Sequence, residues 1–275
     1  LLNGDELTLF KPAEIREVGG PTLNNCEYYE PNDNYEIASY RYGTLTIKPR
    51  PIMVITPDAS KTYDGIALSK NFGYTVKFAV YDKEQAQWLA DDSEVGLIST
   101  DTLVCTFTAE ITDVGSAPND CEYTHFNSYN KSNYDIHYTY GTLKITGRKI
   151  VVVTADAERA YNGEALSKTD GWQTYLYGDG AQKGLLGEDT LTLDASATVP
   201  AITNFGTLEN AVKYVASDNY IIEEYVNGTL TVTQREIVVT FNSASKVYDG
   251  EALSEKGYTT YWKENAEDKG LVGDD

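Results

Sequence analysis

The chain contains 275 residues, of which 41% are hydrophobic and 23% charged, a balance typical of folded rather than disordered proteins. Its formal net charge of −20 repels phosphate backbones, which excludes a nucleic-acid partner from our expectations. The apolar runs are far too short to span a membrane, so we expect no membrane insertion of this segment. Tyrosine occurs 22 times, and because its ring suits half-buried strands, the composition predicts a β-rich fold.

Two sequence motifs recur three times along the chain. The first motif is "YGTLTI" at 42–47, "YGTLKI" at 140–145 and "NGTLTV" at 227–232. The second is "SKTYDGIALS" at 60–69, "ERAYNGEALS" at 158–167 and "SKVYDGEALS" at 245–254. Each first motif is followed by a second motif at the same distance, so the geometry between them is constrained at both ends. The pattern indicates tandem repeats of one structural unit.

An arginine marks the predicted boundary between repeats, since it precedes a β-branched run at Arg50, Arg148 and Arg235. The predicted domains are the C-terminal half of a repeat at 1–49, complete repeats at 50–147 and 148–234, and the N-terminal half of a repeat at 235–275. Linkers this short predict a semi-rigid rod of stacked units. We interpret the half repeats as an excerpt of a longer array; the alternative is that chains complete one another head to tail.

Within the repeat at 148–234, the apolar run "KIVVVTA" predicts a buried strand. The stretch "NYIIEEYVNGTLTVT" predicts a β-hairpin that turns at Asn227-Gly228. In the repeat at 50–147, "DKEQAQWLADD" at 82–92 resembles a helix without a counterpart elsewhere. The predicted fold is therefore all-β, with tandem Ig-like sandwiches in an elongated rod. β-Grasp-like repeats are the alternative.

The second motif combines a lysine, a tyrosine and an acid, which raises the question of catalysis. Its aspartate becomes Asn162 in one copy, and an amide cannot exchange a proton as a catalytic carboxylate does. Asp and Asn serve equally well before glycine in a turn. We therefore predict a structural turn and no enzyme. Its residues are Tyr63, Asp64, Gly65, Tyr161, Asn162, Gly163, Tyr248, Asp249 and Gly250.

The motifs resemble, in the same order, the tandem MBG/YDG-type repeats of bacterial cell-surface adhesins. The order is K-x-Y-D-G-x-A-L, then G-L-x-G-D-x-L, then "ITDVG" at 111–115 or "ITNFG" at 202–206, and finally N-Y-x-I with G-T-L-T-I. The likeness covers the whole chain, with Asn162 and an insertion before Asp101 as departures. It implies stalk or adhesive repeats at the bacterial cell surface, and it carries over no ligand.

Other chemistry-bearing residues have structural interpretations. Cys26 and Cys121 occupy equivalent positions, at which the other repeat has Val212, and this substitution indicates a small buried thiol. A Cys105–Cys121 disulfide is an open alternative. His125 and His137 occur in one repeat only, which indicates surface residues. Acidic clusters offer oxygen ligands for calcium, but the first of them is not kept between repeats, so no cofactor is expected, with calcium at the domain junctions as an open alternative.

Three equivalent aromatic residues are candidates for stacking on sugar rings, and they are Tyr74, Trp172 and Tyr258. Our first functional prediction is a non-enzymatic stalk of an extracellular adhesin, with neighbouring repeats as its partners. The second is that the repeats themselves bind host glycan or mucin. The third is an accessory module of a secreted glycoside hydrolase, and it requires a catalytic domain outside this sequence.

Overall fold

The computed structural model describes residues 2, 4–29, 32–98, 101–126, 131–273 and 275. These residues form an all-β protein, because apart from one 3-10 turn at Lys131–Asn133 the regular structure described is β-strand. No helix among these residues has the length and apolar character needed to cross a membrane. The chain divides into two compact units, one of Leu1–Lys61 with Ala67–Ile145 and one of Thr62–Ile66 with Thr146–Asp275.

The first unit contains several small sheets. Its strands are β1 (Thr8–Lys11), β2 (Gly19–Asn24), β3 (Glu27–Tyr29), β4 (Gly43–Ile47), β5 (Arg50–Ile55), β6 (Ala59–Thr62), β7 (Thr75–Asp82), β8 (Gln87–Val95), β9 (Leu103–Phe107), β10 (Gly115–Pro118), β11 (Cys121–Phe126), β12 (Tyr134–Thr139) and β13 (Thr142–Thr146). A four-stranded sheet has the order β12-β5-β7-β8, and a three-stranded sheet has the order β10-β13-β6. The pairs β1-β3, β2-β4 and β9-β11 complete the unit.

The sequence explains why β5 is the central strand of this sheet. Its apolar run is covered on both faces, and Ile52, Met53 and Val54 are all buried. β12 pairs with it in parallel and β7 in antiparallel orientation. Ile52 and Val54 point into a core that also contains Leu103 and Cys121. Strands buried on both faces have continuous apolar sequences of this kind.

The second unit repeats this arrangement. Its strands are β14 (Arg148–Val153), β15 (Ala157–Ala160), β16 (Gln173–Leu176), β17 (Asp179–Lys183), β18 (Thr192–Leu193), β19 (Gly206–Asn210), β20 (Tyr214–Val215), β21 (Tyr220–Val226), β22 (Gly228–Thr233), β23 (Ile237–Phe241), β24 (Tyr258–Trp262) and β25 (Asn265–Lys269). The sheets have the orders β17-β16-β14-β21, β15-β22-β19, β18-β20 and β23-β24-β25. β14 is parallel to β21, and β15 is parallel to β22.

The predicted hairpin at Asn227-Gly228 is wrong. β21 pairs with β14, whereas β22 pairs with β15 and β19, so the chain passes from one sheet to another at this point. Gly228 has no positive φ, but a Cβ there would lie 2.6 Å from the Ala155 carbonyl carbon. Gly141, the equivalent residue, would bring a Cβ to 2.4 Å from that of Pro57. The glycine is therefore required by close backbone approach and not by a turn.

The predicted helix at 82–92 is also wrong, because β7 and β8 form an antiparallel hairpin there. Asp82 accepts hydrogen bonds from the backbone N–H groups of Glu84 and Gln85, and Ala86 closes the turn with a φ of 53°. Trp88 then packs against Tyr81, its cross-strand partner. Such cross-strand aromatic contacts outweigh the weak helical propensity of the loop.

We expect Gly228→Ala to destabilise the protein by about 1–3 kcal/mol, because the added methyl group overlaps a rigid backbone. The measurement is the shift in the urea unfolding midpoint of the full chain. Gly43→Ala is the matched control, since it is the equivalent glycine and a Cβ there meets nothing within 4 Å. Equal effects of the two substitutions would contradict the close-approach explanation.

Candidate functional site: the junctions between repeats

Each repeat begins with an arginine that holds the end of a neighbouring hairpin. Its Nε donates to a glycine carbonyl and its Nη2 donates to the carbonyl of the preceding residue. The Nε bonds are Arg50 to Gly96 (2.9 Å), Arg148 to Gly184 (2.8 Å) and Arg235 to Gly270 (3.0 Å). The guanidinium also lies over an aromatic ring in two copies, on Phe78 at 4.5 Å and on Trp262 at 4.2 Å. The arginine thus fixes the hairpin against the first strand of its repeat.

A tyrosine and an aspartate form a second recurring contact, which accompanies the arginine in the repeats that begin at Arg50 and Arg148. The tyrosine hydroxyl donates to the aspartate, and it accepts a hydrogen bond from a backbone N–H of the loop that carries this aspartate. The donor pairs are Tyr35 to Asp5 (2.9 Å), Tyr134 to Asp101 (2.5 Å) and Tyr220 to Asp189 (2.5 Å). The backbone donors are Leu2, Ile98 and Leu186. Burial, followed by the bond to Asp189, raises the pKa of Tyr220 to about 12.

The Tyr-Asp/Asn-Gly motif forms the same turn in its three copies. The glycines have positive φ values of 76°, 81° and 82° at Gly65, Gly163 and Gly250. The side-chain oxygen of the acid or amide accepts a hydrogen bond from the backbone N–H two residues later. The acceptor-donor pairs are Asp64 with Ile66 (3.0 Å), Asn162 with Glu164 (3.1 Å) and Asp249 with Glu251 (3.0 Å). Asp and Asn therefore perform the same task, and this task involves no proton transfer.

The tyrosines of these turns have different surroundings. Tyr63, in the segment 62–66 that belongs to the second unit, is 9% exposed, and its ring meets that of Tyr220 edge-on at 5.5 Å. Tyr161 accepts a hydrogen bond from Arg235 through its carbonyl. Tyr248 is 93% exposed. One of the three turns thus packs on the tyrosine of the following repeat and another on its arginine.

Sequence reasoning missed a buried asparagine that supports each complete repeat. Asn119 and Asn210 are fully buried, and their Nδ2 groups each donate to two backbone carbonyls. The backbone carbonyls of Asn119 and Asn210 accept hydrogen bonds from the hydroxyls of Thr56 and Thr154. These hydroxyls in turn accept the N–H of the close-approach glycines. The missed signal was an asparagine two residues before Cys26, Cys121 and Val212.

Cys26, Cys105 and Cys121 all lie in the first unit and are free thiols, so the alternative of a Cys105–Cys121 disulfide is not formed. Cys105 lies opposite Tyr123 on the β9-β11 ladder, diagonal to Cys121. Burial, followed by a hydrogen bond with Cys121, raises the pKa of Cys105 to about 12. Both thiols therefore stay protonated near neutral pH, which disfavours their reaction.

The three candidate sugar-stacking residues do not share one environment. Tyr74 packs against the core of the first unit, and its hydroxyl donates to the Leu103 carbonyl at 2.6 Å. Trp172 packs on Tyr214 and lines a cavity of about 410 Å³. Tyr258 is 56% exposed. The equivalent rings therefore form no common exposed groove.

The two histidines and the acidic clusters were the remaining residues with possible binding chemistry. His137 stacks on Trp88 at 4.1 Å, and its Nε2 lies 3.2 Å from Asp135. The side chain of His125 lies outside the described residues. Among the side chains that are described, no three or more His, Cys, Asp or Glu residues are grouped to hold a metal ion. In one acidic cluster, Asp179 instead accepts the backbone N–H of Ala181.

The raised pKa of Tyr220 predicts alkaline sensitivity. Its pKa is about 10 in the unfolded chain and about 12 in the folded one, so the unfolded chain loses the proton first. The stability contributed by the neutral hydroxyl is complete below pH 10 and is lost as the pH rises towards 12. We expect Tyr220→Phe to lower stability by about 1–2 kcal/mol at pH 7 and to flatten this decline.

Urea unfolding between pH 7 and 12 measures this effect. Tyr177→Phe is the control, because Tyr177 is exposed and should leave both the stability and its pH profile unchanged. A Tyr220→Phe profile parallel to that of the unmodified protein would show that this hydroxyl does not cause the decline.

Comparison of the chain with protein-family models, curated proteins and solved structures finds no match. The resemblance to adhesin repeats therefore remains a prediction from the motifs. The function has to be inferred from the junction geometry and from the cavities beside it.

Proposed function

We propose that this chain is a non-enzymatic stalk segment of an extracellular bacterial surface adhesin, built from tandem β repeats. The observation that carries the proposal is the recurrence of the junction contacts. The arginine bond occurs three times at 2.8–3.0 Å and the tyrosine-aspartate bond three times at 2.5–2.9 Å, and the repeats of Arg50 and Arg148 have both. Each of these bonds joins two parts of one repeat, and the turn of the preceding repeat packs on the same residues at Tyr220 and Arg235. His137 and Trp88, by contrast, occur once.

The strand directions support a role in bearing length and tension. In the repeat at 148–234, the first strands β14 and β15 run parallel to the last strands β21 and β22. The repeat therefore begins at one end and finishes at the opposite end, as a stalk unit requires. A force along the strands loads the hydrogen bonds of both parallel ladders in shear, so they must break together.

We propose an Ig-like sandwich for each repeat. The four-stranded sheet contributes the buried residues of the first strand to the core. The three-stranded sheet contributes the alternating buried residues of the last strand, such as Leu230 and Val232. Two sheets that face a common core are the basis of a sandwich. The β-grasp alternative requires an α-helix packed on the sheet, and the described residues of both complete repeats form no α-helix.

Small-angle X-ray scattering tests the stalk proposal. We expect the full chain, extrapolated to infinite dilution, to have a radius of gyration clearly above about 19 Å, the value for a compact globule of this length. An elongated pair-distance distribution should accompany it. A radius near 19 Å would contradict a rod of stacked repeats.

Glycan binding is a second candidate function, and the cavity at Trp172 favours it. This cavity of about 410 Å³ combines the indole with the polar side chains of Gln173, Lys183 and Asp189. Its volume falls within the range of small-ligand sites, and an aromatic ring with a few polar groups suits a pyranose. Trp172 is the best-placed member of the predicted aromatic set.

A glycan array probed with the full chain tests this candidate. If glycan binding occurs at the cavity, Trp172→Ala should abolish the signal while the far-UV circular dichroism stays unchanged. Tyr258→Ala is the control, because this equivalent ring lies outside the cavity. Retention of binding by Trp172→Ala, or no signal from the unmodified chain, would reject the site.

A further inference from the structure

The two complete repeats contain two Asn-Gly dipeptides, and the structure places them in opposite surroundings. Asn162-Gly163 forms the second Tyr-Asp/Asn-Gly turn, whereas Asn227-Gly228 connects β21 to β22. In such a dipeptide the backbone nitrogen of the glycine can attack the side-chain carbonyl carbon of the asparagine. The attack closes a five-membered ring, and glycine has no Cβ to hinder it. The two sites therefore expose the same chemistry to two different structures.

The Asn162-Gly163 turn leaves the attacking nitrogen free. Among the described residues, none accepts a hydrogen bond from the Gly163 N–H. Asn162 is half-buried, and Gly163 is exposed. The equivalent Asp64 and Gly65, which are followed by a complete repeat, are exposed as well, and the Gly65 N–H has no acceptor among the described residues either. Solvent access and a free N–H thus belong to the turn itself.

The turn also polarises the carbonyl that is attacked. The Asn162 Oδ1 accepts the backbone N–H of Glu164 at 3.1 Å, and the Asn162 Nδ2 donates to the Glu164 Oε2 at 3.2 Å. Negative charge develops on Oδ1 when the nitrogen attacks, and an N–H that already points at this oxygen stabilises the charge. The turn therefore supplies both a free nucleophile and a donor for the oxyanion.

The Asn227-Gly228 connection holds the same atoms in place. The Gly228 N–H donates to the Thr154 hydroxyl at 2.8 Å, and a Cβ on this glycine would lie 2.6 Å from the Ala155 carbonyl carbon. The Asn227 Nδ2 donates to Glu209 at 2.9 Å. Attack by the Gly228 nitrogen would break its hydrogen bond and rotate a tightly packed peptide. This site can therefore react only after the crossing between the sheets opens locally.

We propose that Asn162 is a site of spontaneous deamidation in the folded protein and that Asn227 is protected from it. The Gly163 nitrogen gives its proton to a base from solvent and bonds to the Asn162 Cγ. The Cγ–Nδ2 bond breaks, and the leaving nitrogen takes up a proton and departs as ammonia, which leaves a succinimide. Water then opens the ring, at Cγ to give aspartate or at the main-chain carbonyl carbon to give isoaspartate. The reaction consumes one water and needs no oxidant or reductant.

The two products have different effects on the turn. Aspartate keeps it, since the copies with Asp64 and Asp249 have glycine φ values of 76° and 82°. Isoaspartate carries the main chain through its side-chain carbon, which inserts one additional carbon before Gly163. This glycine already lies so close to Val272 that a Cβ would come within 2.7 Å of that side chain. The longer backbone should therefore displace the turn from the following repeat.

Peptide mapping of the full chain by mass spectrometry tests the proposal. The folded protein is incubated in mildly alkaline water that carries a heavy oxygen isotope, so that each deamidated residue gains one labelled oxygen. We expect label at Asn162 to accumulate at least about tenfold faster than at Asn227, because Asn227 must first be released by local opening. Chromatography should separate an aspartate and an isoaspartate form of the Asn162 peptide.

The same incubation in concentrated urea is the matched control. Both sites are Asn-Gly, and unfolding removes the contacts that distinguish them, so the two rates should converge. Equal rates at Asn162 and Asn227 in the folded chain would overturn the proposal, as would an Asn162 that acquires label only after unfolding. The result is independent of the stalk function, because the label reports on the chemistry of single residues.

Discussion

The structure depends on one close contact in each complete repeat, where the backbone of the last strands crosses the end of the first. At this point Gly228 lies against Thr154 and Ala155, and the Thr154 hydroxyl accepts its N–H while donating to Asn210. Asn210 then donates to the carbonyls of Ala155 and Lys168. Six polar groups are thus paired with one another, whereas the Asn210 Oδ1 is buried without a hydrogen-bond partner among the described residues. The contact ties both sheets of the repeat to one point.

Tyrosine has two roles that phenylalanine could not perform. Its ring fills the core, as for Tyr214 and Tyr220, which are both nearly buried. Its hydroxyl then binds a loop, as Tyr214 does with the carbonyl of Thr169 and Tyr220 with Asp189. A small β domain has few apolar residues to bury, so a side chain that packs and also fixes a loop is an efficient choice. As a consequence, burial in the folded protein raises the pKa of these hydroxyls and so opposes their ionisation.

The all-β class and the central buried strands could be predicted from the sequence, because these follow from residue composition and from apolar runs. It also identified the arginines, since each directly precedes a β-branched run. The sequence-based prediction failed at Asn227-Gly228, where a dipeptide typical of hairpin turns instead connects β21 in one sheet to β22 in another. It failed at 82–92, where Trp88 pairs with Tyr81. Both errors have the same origin, because the deciding partners are distant or cross-strand contacts.

Sequence alone therefore determined the spacing of the recurring motifs, the turn of the Tyr-Asp/Asn-Gly motif and the position of the arginines before the buried strands. Such features arise from neighbours along the chain, and repetition makes them visible. Tertiary structure decided which asparagine is buried, why Gly141 and Gly228 must be glycine, and which aromatic rings face inward. Tyr63 and Tyr161 occupy the same position of the motif, yet the ring of Tyr63 packs edge-on against Tyr220 whereas Tyr161 lies beside Arg235. Their difference lies in the surface packed against each ring, and local sequence does not encode it.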